Sequence, residues 1–130
     1  MNIIEIKSDL LAQPLGIYSN GIRVDNPNSI IFLSGFVSRN SAGEIVGKGD
    51  IRVQTDTILK NMKIALQNVG ADMRDVVKLT IYIRDMNDFK DIHEIRARYF
   101  SEPYPASSML EVSRMVSEDS LIEIESIAVI

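Results

Sequence analysis

The chain has 130 residues, a length that suits one compact domain over residues 1–130, and its 45% apolar and 25% charged residues are typical of a globular protein. It has no cysteine, which excludes a disulfide framework, a cysteine nucleophile and a thiolate zinc site. The net charge of −4, with Lys and Arg scattered along the chain, argues against a nucleic-acid-binding surface. No apolar stretch approaches the roughly 20 residues of a membrane helix, and the N-terminus lacks a targeting pattern, so we expect a soluble, cytoplasmic protein without a membrane partner.

Three strands and a long helix are predicted in the first half of the chain. Ile3, Ile4 and Ile6 suggest the first strand, and "GIRVD" and "SIIFLSG" flank a turn at 25–28 and predict a hairpin. Segment 36–50 is rich in glycine and predicts a loop, but it has no Gly-Lys-Ser or Gly-Lys-Thr sequence and no strand leads directly into its glycines, which excludes a phosphate-binding loop. Residues 51–69 carry apolar side chains at helical spacing before Gly70, which predicts an amphipathic helix.

The second half predicts a strand, a helix and two further strands. "VVKLTIYIRD" alternates apolar and polar residues, the pattern of a strand covered on one face. Asn87 or Asp88 can cap a helix whose apolar face runs from Phe89 to Phe100 and stops before Pro103. Strands follow at 107–116 and 121–129. The order βββαβαββ predicts an α+β fold with both helices on one face of a mixed sheet.

The other face of this sheet also needs a cover. In the last strand Glu123 and Glu125 share a face with Ile127, so neither face is cleanly polar. Because the helices cover only one face, we expect the second to be partly buried against another copy of the chain.

Candidate functional residues are few. His93 is the single histidine, so it cannot build a multi-histidine metal site, and a structural place on the flank of the second helix is the plainer interpretation. Glu123 could carry protons if its seam is covered, although solvated strand carboxylates are commoner. Ser34 and Gly35 could bind a ligand or simply turn the chain out of a strand. Ser107 has no adjacent base, which disfavours nucleophilic attack and leaves a binding role or none. The arginines are mostly expected to be solvated, although any of them could bind a carboxylate.

Six segments carry a family resemblance. These are "PLGIYSNGI", "IFLSGF", "VQTDTILKNM", "VVKLTIYIRDMNDF", "PYPASSMLEV" and "IEIESIAV", in that order. The chain resembles the Rid family, also called the YjgF or L-PSP family of reactive-intermediate deaminases. The resemblance implies a chorismate-mutase-like fold and a homotrimer with clefts between its subunits. It also implies hydrolysis of short-lived enamines and imines to 2-oxo acids and ammonia without a metal or cofactor.

Four residues match the family's cleft. Tyr18 matches its tyrosine, Ser34 and Gly35 match the pair at a strand end, and Glu123 matches the glutamate that positions or activates water. The resemblance therefore implies that Glu123 is catalytic and that the other three bind a small-molecule substrate.

Other positions depart from the family. Ser107 stands where the best-known branch has a carboxylate-binding arginine; Phe36 replaces a glutamine, His93 an asparagine and Arg96 a tyrosine. Two accounts stay open: a hydrolase whose substrate either lacks a carboxylate or is held by another cation such as Arg96 or Arg114, and a noncatalytic trimer that binds a metabolite or a protein. A ribonuclease is disfavoured by the acidic balance.

Overall fold

The structure, a computed structural model, describes residues 1–130. It contains six strands and two helices in the order that the sequence predicts. They are β1 (Asn2–Glu5), β2 (Ile22–Asp25), β3 (Ile30–Phe36), α1 (Ile51–Gln67), β4 (Val76–Ile83), α2 (Phe89–Arg96), β5 (Ala106–Glu111) and β6 (Ile122–Val129). The predicted α+β class, with two helices and a mixed sheet, is confirmed. Neither helix is long and apolar enough to span a bilayer.

The predicted hairpin between the second and third strands is wrong. β2 pairs with β1 in a separate two-stranded sheet, and β3 pairs with β6. Asn26 takes a positive φ of 52° and Pro27 has no N–H to donate, so the connection leads the chain away from β2. Ser29 instead exchanges two backbone hydrogen bonds with Ile130, at 2.7 and 3.1 Å, which places β3 beside the end of β6.

The main sheet has the strand order β3-β6-β4-β5, and only the β4–β5 pair is parallel. Its helix-facing side forms the core, where Leu79, Ile81 and Ile83 of β4 are fully buried together with Ile58 and Leu59 of α1. Asp50 begins α1 by accepting hydrogen bonds from the first backbone N–H groups of the helix. The apolar stripes predicted for α1 and β4 therefore define the core.

Gln54 is a buried polar residue on the core side of α1. Its amide nitrogen donates to the carbonyls of Gly47 and Asp119 at 3.1 and 2.9 Å, and its amide oxygen accepts from the N–H of Leu121 at 2.9 Å. One side chain thus fixes both the glycine-rich loop before α1 and the turn before β6.

The opposite side of the sheet, called the outer face here, carries Thr80 and Tyr82 of β4 and Glu123 and Glu125 of β6. All four are half-buried in the single chain, and Phe32 on the edge strand β3 is 72% exposed. Burial of this face against another copy stays a prediction.

The second helix is shorter than its apolar pattern suggests. α2 ends at Arg96, Tyr99 follows in a turn, and Phe100 comes directly after that turn. Phe89, expected on the apolar face, is 47% exposed. It lies at the first position of the helix, where the chain has only begun to turn toward the core.

Candidate functional site

Three of the predicted site residues meet in a cavity of about 280 Å³ on the helix side of β5, which we call the helix-side pocket. Tyr18, His93 and Ser107 contribute to its wall, together with Arg96. The remaining wall consists of Leu15, Gly16, Phe89 and Met109. The pocket is therefore largely apolar, with a few polar groups that converge on one space.

The edge of β5 positions Tyr18 and Ser107. The N–H of Ser19 donates to the carbonyl of Pro105 at 3.1 Å, and the Ser19 hydroxyl donates to the carbonyl of Tyr104. These bonds hold the chain at Tyr18 beside β5. Ser107 pairs with the buried Leu79 across the parallel ladder, so its hydroxyl points toward the helices.

His93 is half-buried on the flank of α2, where its ring packs against neighbouring residues and also borders the space of the pocket. Its ring stacks on that of Phe89, with centroids 5.5 Å apart and planes inclined by 20°. The loop before Tyr18 passes directly against it, since a Cβ at Gly16 would lie 2.7 Å from His93 Cε1. Glycine is therefore needed where the loop crosses the imidazole.

Arg96 corrects the expectation that the arginines are mostly solvated, because it is only 4% exposed. Its Nη2 donates to the carbonyl of Ile17 at 2.8 Å and to Ser107 Oγ at 3.3 Å. Burial lowers the pKa of Arg96 to about 10, so it is still a cation at neutral pH. Its spacing from Ile92, one turn earlier on the buried stripe of α2, is the signal in the sequence that could have indicated this placement.

Glu123 lies on the outer face, in a separate hollow of about 820 Å³ that Gly35 and Arg114 also line. A Cβ on Gly35 would stand 2.8 Å from Glu123 Cδ, so the glycine leaves the space that this carboxylate occupies. Gly35 and Glu123, two of the predicted site residues, are thus neighbours on the outer face.

The neighbouring carboxylate is engaged differently. The Tyr82 hydroxyl donates to Glu125 at 2.7 Å, and this hydrogen bond, together with burial, raises the pKa of Tyr82. Glu123 takes part in no side-chain hydrogen bond or ion pair of the chain. Of the two acidic residues on this face of β6, Glu123 is the one with its oxygens free for a ligand or a water molecule.

The two groups of predicted residues project from opposite faces of one sheet. Ser107 pairs with Leu79, which faces the helices, whereas Glu123 pairs with Tyr82, which faces outward. Side chains alternate between the faces of a strand, so no rotamer brings Glu123 to Ser107 of the same chain. A site that uses both requires two copies.

Ser34 and Phe36 complete the predicted set. Ser34 is exposed near the end of β3 and borders a hollow that it shares with Glu125. Phe36 is half-buried, packs against the core and borders a shallow groove beside α1. Neither belongs to the helix-side pocket, and their role in binding substrate stays a prediction.

This architecture is that of the L-PSP fold, and the sequence comparison agrees. Residues 10–130 match the family described as Endoribonuclease L-PSP. A RutC family protein of Pyrococcus abyssi is 44% identical over 117 residues, covering 89% of this chain and 88% of its own length. The 2-iminobutanoate/2-iminopropanoate deaminase of Dermatophagoides farinae is 37% identical over 125 residues, covering 96% and 94%. The chain belongs to the L-PSP family, which includes the Rid proteins.

Solved structures share the fold. A Rid family protein of Yersinia pestis, YyfB, superposes with a TM-score of 0.90 at 28% identity over 100% of both chains. RidA from an Antarctic Psychrobacter gives a TM-score of 0.72 at 27% identity, covering 98% of this chain and 99% of its own. The resemblance and the fold predicted from the sequence are thereby confirmed.

Proposed function

We propose that this protein hydrolyses the C=N bond of a small reactive imine, supplied as such or as its enamine tautomer, in a cleft formed by two copies of the chain. The name of the mite relative, a 2-iminobutanoate/2-iminopropanoate deaminase, supports the reaction class. The observation that carries the proposal is the division of the polar residues between two faces of the sheet. The half with Glu123 faces outward, where a neighbouring copy can supply a helix-side pocket.

Exposure of the outer face supports this assembly. Phe32 is 72% exposed beside the half-buried carboxylates of β6, and apolar area of this kind favours burial between subunits. In a closed ring of three copies, each outer face would meet the pocket of the next copy, which gives the homotrimer implied by the resemblance.

The chemistry then follows from the residues. Glu123 accepts a proton from water as the water oxygen bonds to the imine carbon, and passes this proton to the nitrogen. Glu123 then carries the hydroxyl proton of the tetrahedral adduct to the amine, the C–N bond breaks as the C=O bond forms, and imine and water give ketone and ammonia. An enamine first takes a proton on carbon to become the imine. Tyr18, Ser34 and Ser107 hydrogen-bond the substrate in the cleft.

The test is an assay in which an amino-acid oxidase generates imines and the release of 2-oxo acid is followed with and without this protein. Glu123→Gln should lower kcat about 100-fold, the typical contribution of a general base. Glu125→Gln is the matched control, since it lies two residues along the same face. If the wild-type protein accelerates the hydrolysis of no imine tried, the noncatalytic binding account replaces the proposed hydrolysis. Equal activity of Glu123→Gln and wild type would show that Glu123 is not the general base.

A mixing experiment tests the shared cleft. Glu123→Gln and Tyr18→Ala damage different halves and should each be nearly inactive. Co-expressed in equal amounts, they should assemble into trimers in which about a quarter of the clefts combine two intact halves. Recovery of about a quarter of wild-type activity supports the cleft between copies. A mixture as inactive as its components would place the whole site within one chain.

A further inference from the structure

The guanidinium of Arg96 is a buried cation without a counterion in the chain. It takes part in none of the six ion pairs. Nη2 makes its two hydrogen bonds to neutral oxygens, of Ile17 and Ser107, while Nε is buried and has no partner. An ionised group held away from water without an opposite charge is costly, so this arrangement lacks an anion.

The pocket around Arg96 has the size and lining for a small acid. Its volume of about 280 Å³ suits a ligand of a few heavy atoms, and none of its lining residues is acidic. Leu15, Phe89 and Met109 provide an apolar wall opposite the polar groups. A planar guanidinium is matched to a carboxylate, which can accept two hydrogen bonds from it.

Ser107 makes room for this cation. Its short side chain lets the guanidinium come within 3.3 Å of its hydroxyl. The hydroxyl is then placed to donate to an anion bound at Arg96, because its oxygen already accepts from Nη2. Ser107 and Arg96 thus form a single polar end of the pocket, with the charge supplied from α2 rather than from β5.

We propose that Arg96, on α2, binds the carboxylate of a small acid in the helix-side pocket, at the end where Ser107 provides only a hydroxyl. This inference rests on the proposed function for the reaction but not for the binding. The sequence left open whether the substrate lacks a carboxylate or is bound by a cation at another position, and this role of Arg96 favours the second. A neutral imine would leave the Arg96 charge unpaired, whereas a carboxylate supplies its missing partner.

Binding is tested with 2-oxobutanoate, a stable carboxylate with the shape of the product, titrated calorimetrically into the assembled protein. Arg96→Met should bind it about 100-fold more weakly than wild type, because one partner of a buried charge pair is lost. Arg98→Met, an exposed arginine two positions along the chain, is the matched control and should bind as wild type does. Equal binding by wild type and Arg96→Met, or none by either, overturns the assignment.

Stability separates this role from a structural one. Without ligand, Arg96→Met should unfold at the same or a higher urea concentration than wild type, since an unpaired buried charge is removed. A clear drop in the urea midpoint, with binding preserved, would show that Arg96 only supports the fold. Ser107→Asp is a second variant that places a carboxylate beside the guanidinium. It should block 2-oxobutanoate and raise the midpoint; unimpaired binding would count against the proposal.

Turnover separates the failure of this inference from that of the proposed function. Imines made by an amino-acid oxidase carry a carboxylate, and those made by an amine oxidase do not. Arg96→Met should raise KM about 100-fold for the first kind and lower kcat/KM for the second by a much smaller factor. Binding of 2-oxobutanoate without turnover of any imine supports Arg96 and overturns the hydrolysis. An unchanged KM for carboxylate-bearing imines overturns Arg96 and leaves the hydrolysis standing.

Discussion

Gly35→Ala is expected to inactivate the protein without unfolding it. An added Cβ would stand 2.8 Å from Cδ of Glu123, well inside van der Waals contact, so the carboxylate must move. The atoms in the way belong to a flexible side chain on the outer face, and the glycine has no positive φ. Moving Glu123 to another rotamer should cost about 1 kcal/mol of unfolding free energy. Displacing the proposed base should lower kcat about 100-fold.

A double-mutant cycle in the oxidase-coupled assay tests whether Gly35 acts on kcat through Glu123. If Gly35 acts only by leaving space for the Glu123 carboxylate, Gly35→Ala should have almost no further effect on kcat in a Glu123→Gln background. Urea unfolding of all four proteins provides the control for stability. Additive losses in kcat, or full activity in Gly35→Ala, would refute the reasoning that the carboxylate must occupy this space during turnover.

Two further predictions concern stability. Gln54→Leu leaves the carbonyl of Asp119 and the N–H of Leu121 without partners, while the carbonyl of Gly47 keeps its hydrogen bond from Asp50, and should cost about 2 kcal/mol of unfolding free energy in urea. A change below about 1 kcal/mol would show that water replaces the amide. Tyr99→Phe removes the 2.5 Å hydrogen bond from Tyr99 to Asp56 and should cost about 1–2 kcal/mol at neutral pH. Burial and this hydrogen bond raise the pKa of Tyr99 above its ordinary value of 10.0, so the stabilisation is full below pH 10 and is lost as pH rises toward the folded pKa. The stability difference between Tyr99→Phe and wild type should therefore narrow in alkaline solution, and a constant difference would contradict the assignment.

Periodicity was sufficient to predict the elements because each buries one regular face. The alternation of β4 and the helical stripe of α1 place Leu79 and Ile58 in the core that the structure shows. Pairing was harder to predict, and the hairpin of β2 and β3 failed for that reason. Which strand lies beside β3 depends on Ile130, about 100 residues away along the chain, and no local pattern contains that information.

In the candidate site, too, some features were predictable from the sequence and others depend on the fold. The resemblance names Tyr18, Gly35 and Glu123 as cleft residues, but only the structure shows that Gly35 lies against Glu123 and that Tyr18 meets Ser107 in another pocket. The burial of Arg96 does not follow from the resemblance, because charged residues are rarely buried and composition alone predicts exposure. Its position on the stripe of α2 carries the information, but only the fold shows that β5 presents a small residue opposite it.

The place of β6 between β3 and β4 has a consequence for synthesis. β3 and β4 both pair with residues 122–129 and not with each other. Until the ribosome has released this segment, the sheet therefore cannot form and its apolar side stays uncovered. A nascent chain should therefore need a chaperone to prevent aggregation until residues 122–129 have emerged. Premature termination anywhere before β6 should yield an aggregating fragment rather than a smaller folded one.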